Sequence, residues 1–289
     1  METLTTRSRK TSPFLVPRRF EASFRKALAV TLRESIRQCP SFEEIDSWIN
    51  ELSFASRDPK LKEAAQRMSM ILVRNVNIHN VYGWRETARN VRGGLQIFPY
   101  LYETRKGSIG KTITQQIHTT TEAITNIPER ISHRLARQAS YARSQGATEQ
   151  GVFNILRRSF QANILRNIAM VANQNPHLIN SELTEARSED LDVQCFIWTT
   201  SHDSHVRPSH RKLDGVLVFW RDLPSPEALI GLPAILGRYS PGHCPGCRCS
   251  PEPVLHVDDL FSNGSARIKV YYNDSIGQLT KAQLMEILD

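Results

Sequence analysis

Apolar residues recur at every fourth position from Phe24 through Leu28 and Leu32 to Ile36, which predicts one face of a helix between Phe20 and Cys39; Pro40 stops it. Ser41, with Glu44 three residues on, has the capping-box spacing that opens a short helix through Ile45, Trp48, Ile49 and Leu52. Asp58-Pro59 sets an N-cap before a proline at the first helical position and starts a longer helix through Ala64, Met68, Ile71 and Leu72 toward Tyr82. Between Val91 and Gly110, glycine breaks and mixed aromatic and basic residues predict irregular chain or a short hairpin. Asn126-Ile127-Pro128 begins a helix that runs to about Gln145, and Gly146 breaks it. Thr148 then caps helices carrying Val152, Ile155, Leu156, Phe160, Ile164, Leu165, Ile168 and Val171, which Asn175-Pro176 is expected to end.

The pattern changes after Leu191. Cys195–Thr200 and Gly215–Trp220 are short aromatic and β-branched runs that read as strands, and Arg267–Tyr272 alternates with period two as a third. The stretch from Pro224 to Pro253 is dense in proline and predicts loop. Lys281–Leu288 reads as a short terminal helix, and there are no internal repeats. The expected fold class is α+β: a mainly helical N-terminal region, then a small loop-rich α+β module stapled by a metal. The expected divisions are a flexible basic arm (1–19), a helical region (20–125), a basic helical region (126–180), the C-terminal module (181–275) and a short C-terminal helix (276–289). A loop-rich module of this size has a small core, and a metal supplies what burial does not.

With 40% hydrophobic and 23% charged residues, the 289-residue chain is neither disordered as a whole nor membranous. No apolar run approaches the roughly 18 residues that cross a bilayer, and Met1–Phe20 lacks the apolar core of a secretory signal, so cytoplasmic synthesis is expected. Five cysteines, an odd number, argue for metal or burial rather than a disulfide framework. Cys39 and Cys195, alone among apolar neighbours, are expected to be small buried hydrophobes. The formal charge of +8 is uneven. Between Arg130 and Asn180 lie Arg130, Arg134, Arg137, Arg143, Arg157, Arg158 and Arg166 against one acid, Glu149. A stripe of this sign predicts an acidic partner, either nucleic acid or a protein surface.

Three of the five cysteines fall within His243-Cys244-Pro245-Gly246-Cys247-Arg248-Cys249. Thiolates are soft ligands, and a Pro-Gly turn lets two sulfurs face one ion. If Trp198 and Trp220 lie on neighbouring strands, the loop between them returns His210 over the sheet to complete a Cys3His zinc site from His210, Cys244, Cys247 and Cys249. His243 is the alternative fourth ligand, although its adjacency to Cys244 strains simultaneous coordination. The run His202-x2-His205-x4-His210 with Asp203 offers a rival, an open catalytic metal site in a nuclease or toxin-like enzyme with Asp203 as base. Its spacings fit no single helical face and Pro208 breaks it, so His202 and His205 are expected on an exposed loop. Leu213-Asp214-Gly215 fits a tight turn into the strand at Val216. Ser201, Ser204 and Ser209 lack a nucleophile elbow, and Gly107-x2-Gly110-Lys111-Thr112 lacks the first glycine of a phosphate loop.

Trp198-Thr199-Thr200-x2-Asp203-x2-Val206-Arg207-x2-His210-x2-Leu213-Asp214-Gly215, followed by Pro241-Gly242 and Cys247-Arg248-Cys249, resembles the phage Mu F-like minor head proteins, the phage head morphogenesis family. The resemblance covers roughly Ile164 to Pro253. It implies a structural, non-enzymatic virion protein present in few copies at the portal vertex of a tailed-phage head, assembled in the host cytoplasm and affecting genome packaging or delivery. Its implied partners are the portal protein, other head proteins and genomic DNA, with no membrane; the arginine stripe is expected to contact DNA or an acidic portal surface. In many members a histidine stands where this chain has Cys244, and interchangeable zinc ligands permit that exchange. Some relatives carry Cys-x2-Cys at the positions of Arg207 and His210, so here His210 keeps one ligand position and Arg207 gives up the other. A plain DNA-binding module is the remaining reading.

Overall fold

The computed structural model describes residues 12–288 apart from 92, 104, 105 and 263. Helices α1 (Arg18–Ser35), α2 (Ile45–Ala55), α3 (Pro59–Arg89), α4 (Phe98–Leu101), α5 (Gly107–Thr125), α6 (Ile127–Ser144) and α7 (Glu149–Asp190) precede strand β1 (Cys195–Thr199). Then follow α8 (Pro208–Leu213), β2 (Leu217–Phe219), β3 (Ser250–Pro253), β4 (Ile268–Tyr272), β5 (Ser275–Leu279) and α9 (Lys281–Leu288). The fold class is α+β. Contacts divide the chain into two compact units, one of Pro17–Asn75 with Ile113–Pro176, the other of Val76–Thr112 and His177–Asp289 with the residues up to Val16. Among the described residues no helix is long and apolar enough to cross a membrane.

The first unit is helical. The apolar face of α1 is buried at Phe24, Leu28 and Leu32, and the face of α2 at Ile45, Trp48, Ile49 and Leu52. α2 packs on α6, where the Ser132 hydroxyl donates to the Ile49 carbonyl at 2.9 Å. Trp48 stands edge-on to Phe160 of α7 with ring centroids 5.1 Å apart, and its indole N–H reaches the Arg37 carbonyl at 2.8 Å. The expected capping box at Ser41 is absent: no side chain caps that turn, and the Ser41 hydroxyl contacts the Glu44 carboxylate instead. Thr148 does cap α7, accepting the Gly151 N–H at 3.2 Å.

Three further expectations are corrected. The segment from Val91 to Gly110 forms short helical turns, including α4, and no hairpin among its described residues. Pro176 does not end a helix, because α7 runs through it. Proline removes one N–H and crowds the carbonyl four residues earlier, but apolar burial holds both flanks, with Val171 and Ala172 before it and Ile179 and Leu183 after it at 3% exposure or less. Residues 1–11 of the expected arm lie outside the described residues; within the remainder, Phe14 is fully buried edge-on to Trp84 and its carbonyl accepts the Asn180 amide at 2.9 Å. Cys195 is buried as expected, whereas Cys39 is half-buried and donates its thiol to the Ser41 carbonyl.

The second unit holds a five-stranded mixed sheet in the order β3-β1-β2-β4-β5. β1 pairs antiparallel with β2 (Cys195 opposite Phe219) and with β3 (Thr199 opposite Ser250), β2 runs parallel to β4, and β4 and β5 form a hairpin. Asn273 and Asp274, both at positive φ, make the hairpin's tight turn. Strand alternation sorts the side chains onto two buried faces. Cys195, Leu217, Phe219 and Val270 share one face with Leu284 of α9, while Phe196, Trp198 and Val218 share the other with Leu213 and three cysteines. In the same unit α3 meets α7 through a buried polar network. The Arg187 guanidinium donates to the Asn80 and Asn77 side-chain oxygens at 2.7 and 2.6 Å, and Asn80 donates to Asn180 and Thr184. Across from the α5 N-terminus, the Asp190 carboxylate accepts the Ser108 and Ile109 N–H groups at 2.8 and 3.1 Å.

Burial, with the like charges of Glu182 and Glu189, pushes the Glu185 carboxyl from its usual 4.5 up to about 7. The folded chain therefore holds that proton more tightly than the unfolded chain does. Stability from this group is complete below about pH 4.5 and is lost as pH rises through about 7. Glu185→Gln is expected to flatten that decline, as read by urea denaturation at pH 5 and pH 7.5; an unchanged pH slope would refute it.

Candidate metal centre

Cys244-Pro245-Gly246-Cys247 is a tight turn. The Cys247 N–H donates to the Cys244 carbonyl at 2.9 Å, with proline at the second position and Gly246 at φ +73° at the third, a type II turn. Arg207, at the start of α8, braces it by donating to Pro245 O at 2.7 Å and to the Cys244 sulfur. Gly242, at φ +88°, brings the loop against α7: a Cβ there would lie 2.8 Å from the His177 carbonyl oxygen. From this close approach the Gly242 N–H donates to Cys247 Sγ at 3.4 Å, as does the Cys249 N–H. Cys249 immediately precedes β3, whose first residue, Ser250, pairs with Thr199 of β1, so the strand pairing fixes where Cys249 enters the cluster.

His210 comes from α8, between β1 and β2. The turn predicted at Leu213-Asp214-Gly215 is present: Gly215 has φ +75°, its N–H meets the Trp198 carbonyl at 2.9 Å, and the Asp214 carboxylate accepts the N–H and hydroxyl of Thr200. This returns α8 over the sheet with His210 only 2% exposed and edge-on to Trp198. Its Nδ1 lies 3.4 Å from Cys247 Sγ and 3.5 Å from Cys249 Sγ. A tetrahedral zinc with Zn–S of about 2.3 Å and Zn–N of about 2.05 Å sets N···S edges of about 3.6 Å, close to both of these distances.

The other ring nitrogen orients the ring. Tyr239 donates its hydroxyl proton to Glu227 Oε1 at 2.7 Å, so at 3.0 Å its oxygen is left to accept from His210 Nε2–H. The Nδ1 side then faces the sulfurs, the outer-shell arrangement of ligating histidines. Burial alone would lower the His210 pKa, but hydrogen bonds with Cys244 and Cys247 outweigh it and raise it to about 9. The hydrogen bond from Cys249, against burial and with help from His210, holds the Cys247 thiol well below its usual value. Its thiolate and the burial around it push Cys249 up in turn.

Of the expected ligands, His210, Cys247 and Cys249 share one centre, with donor atoms within 4.8 Å of one another. Cys244 forms a second such group with His210 and Glu227. Glu227 has no cysteine or histidine spacing around it, and only the fold reveals it. His243 joins neither group and faces Glu182 of α7 at 3.3 Å. Asp203, His202 and His205 join neither as well. The Asp203 carboxylate accepts from Arg248 at 2.9 Å and from the His205 N–H, His202 faces Asp214, and His205 is 84% exposed. Against the pull of burial, those donors together with Ser201 keep Asp203 below its usual pKa.

Two of the seven expected contact arginines are otherwise engaged. Arg130 is half-buried on the Ala123 carbonyl, and Arg143 bridges Asp46 and Glu149. Arg137, Arg157, Arg158 and Arg166 are exposed and Arg134 half-exposed.

A family model described as phage Mu protein F like protein matches residues 105–251, half of the chain, taking in α6, α7 and the sulfur cluster. An uncharacterized protein of Haemophilus influenzae is 31% identical over 95 residues, which is 33% of this chain and 19% of that protein. The alignment thus spans about a fifth of that relative's length. No solved structure matches the chain.

Gly246→Ala meets open space and is expected to cost about 1–2 kcal/mol for the positive φ alone. Gly242→Ala adds a backbone clash and is expected to cost more, measured as the shift in denaturant midpoint. Equal costs would mean that the loop does not depend on its approach to α7.

Proposed function

The chain belongs to the phage Mu protein F like family, and we propose that it serves as a structural minor head protein of a tailed phage, associated with the portal vertex and acting in head morphogenesis, genome packaging or DNA delivery. Its place is then the host cytoplasm during assembly and the virion head near the portal afterwards. The observation that carries this reading is the family match across both the basic helices and the sulfur cluster. The residues of the cluster add a consistent chemistry: the groups that would do acid–base work in a rival enzyme, Asp203 and His202, are tied to Arg248 and Asp214.

Zinc is proposed as a structural cofactor held by His210, Cys247 and Cys249 with Cys244 as the fourth ligand. Bound there, it supplies a cross-link in place of a larger core. Arg207, Tyr239 and Glu227 hold the turn and the imidazole in place for it. The exposed arginines of α6 and α7 are proposed to meet an acidic surface of the portal protein, with genomic DNA as the second reading.

Purified protein is expected to carry one equivalent of zinc by mass spectrometry of the metal, lost in Cys247→Ser and retained in His243→Ala. Metal-free wild type would refute the cofactor. Portal protein of the same phage, co-expressed, is expected to co-purify with the chain. Binding to duplex DNA alone, with affinity falling steeply as salt rises, would favour the second reading.

A further inference from the structure

Within the helical unit, a cleft of about 550 Å³ opens between α1 and α7. Its walls are apolar at Ile36, Phe160, Ile164 and Ile168, with Leu165 on its edge at 62% exposure. Arg33 lines it from α1. On α7, Arg157 precedes Gln161, Ile164 and Ile168 at spacings of four, three and four, so it continues the same helix face. Arg158 stands exposed on the neighbouring stripe with Leu165, two turns away, and Arg166 is exposed further round the helix. None of these arginines has an acidic partner among the described residues.

Charge without apolar surface suits a phosphate backbone, which takes cations and hydrogen bonds. Here the cations border a groove lined mainly by apolar side chains, with Gln38 and Gln161 between them, and a duplex would leave that apolar surface wet. An apolar groove between two helices takes the apolar face of a third, and the sign of its rim selects the sign of the visitor's flanks. We propose that this cleft docks an amphipathic helix of a partner protein, aliphatic toward Ile164 and Leu165 and acidic toward Arg33, Arg157 and Arg158. The proposal deepens the acidic-partner reading given above and rests on it.

The test is fluorescence anisotropy with the full chain and a labelled synthetic peptide of about five helical turns, bearing leucine on one face and glutamate beside it. The peptide is expected to bind, and Leu165→Glu and Arg157→Glu are each expected to weaken it about tenfold or more. A peptide with lysine in place of glutamate is expected to bind the double variant Arg33→Glu/Arg157→Glu better than wild type. Because these positions are exposed or at a rim, circular dichroism of the variants should match wild type, and the charge swap keeps the result independent of any loss of fold. No binding, equal affinity for a scrambled peptide, or sensitivity to Arg157→Glu without sensitivity to Leu165→Glu overturns the proposal. Retention of portal protein by wild type is read alongside: its failure tells against the portal as partner, while the peptide result still decides the cleft.

Discussion

The sheet-bearing unit depends on one imidazole held between two sulfurs. Isolated, each group is a poor tenant of a protein interior: a buried histidine without partners loses its hydration, and a buried thiolate loses more. Together they satisfy each other, with His210 Nδ1 facing Cys247 and Cys249 and Nε2 anchored through Tyr239 to Glu227. That chain of contacts ties α8, the start of β3, the Pro-Gly turn and the long loop after β2 to one point. The core on this face is mixed aromatic and aliphatic, with Phe196, Trp198, Tyr239, Tyr271, Leu213, Val216 and Val218 beside the cysteines, so the sulfur cluster and the apolar cluster are one packed body.

Much of this was legible in the sequence where a local rule and the tertiary demand agreed. β1, β2 and β4 are β-branched and aromatic runs buried on alternating faces, and Asp214-Gly215 is a turn whose glycine occupies positive φ. The knuckle could be read because Pro-Gly between two cysteines has few other uses. β3 could not: two of its four residues are proline, which argues against a strand, yet it lies at the sheet edge where a missing N–H is tolerated. β5, with Gly277 and exposed polar positions, has little pattern of its own and forms because the Asn273-Asp274 turn folds it onto β4. Pro176 misled because a local preference was overridden by burial on both sides of it.

Site residues follow the same division. The cysteines and His210 announce themselves by type and spacing. Glu227 does not, since its role is set by a loop that returns to Tyr239 only in three dimensions. Nor does sequence separate Arg143, held by Asp46 from a helix far away along the chain, from Arg157, which has no such neighbour. Net charge counts both alike; only geometry shows which cations remain for a partner.

The Arg187 network answers a different problem from the sulfur cluster. Apolar stripes on α3 and α7 would pack in several registers at similar energy, because aliphatic contacts are non-directional. A buried guanidinium changes that. At 3% exposure, with burial lowering its pKa to about 10 against the pull of Asp190, Arg187 is satisfied only where Asn77 and Asn80 present oxygens to it. A slip by one turn would leave that cation, together with Asn180 and Thr184, without partners, at a cost of several kcal/mol per unpaired charge. The network thus rejects wrong pairings of α3 and α7 rather than adding much stability to the right one. It also fixes Asn180, whose amide holds the Phe14 carbonyl, so the segment before α1 is placed by the same register.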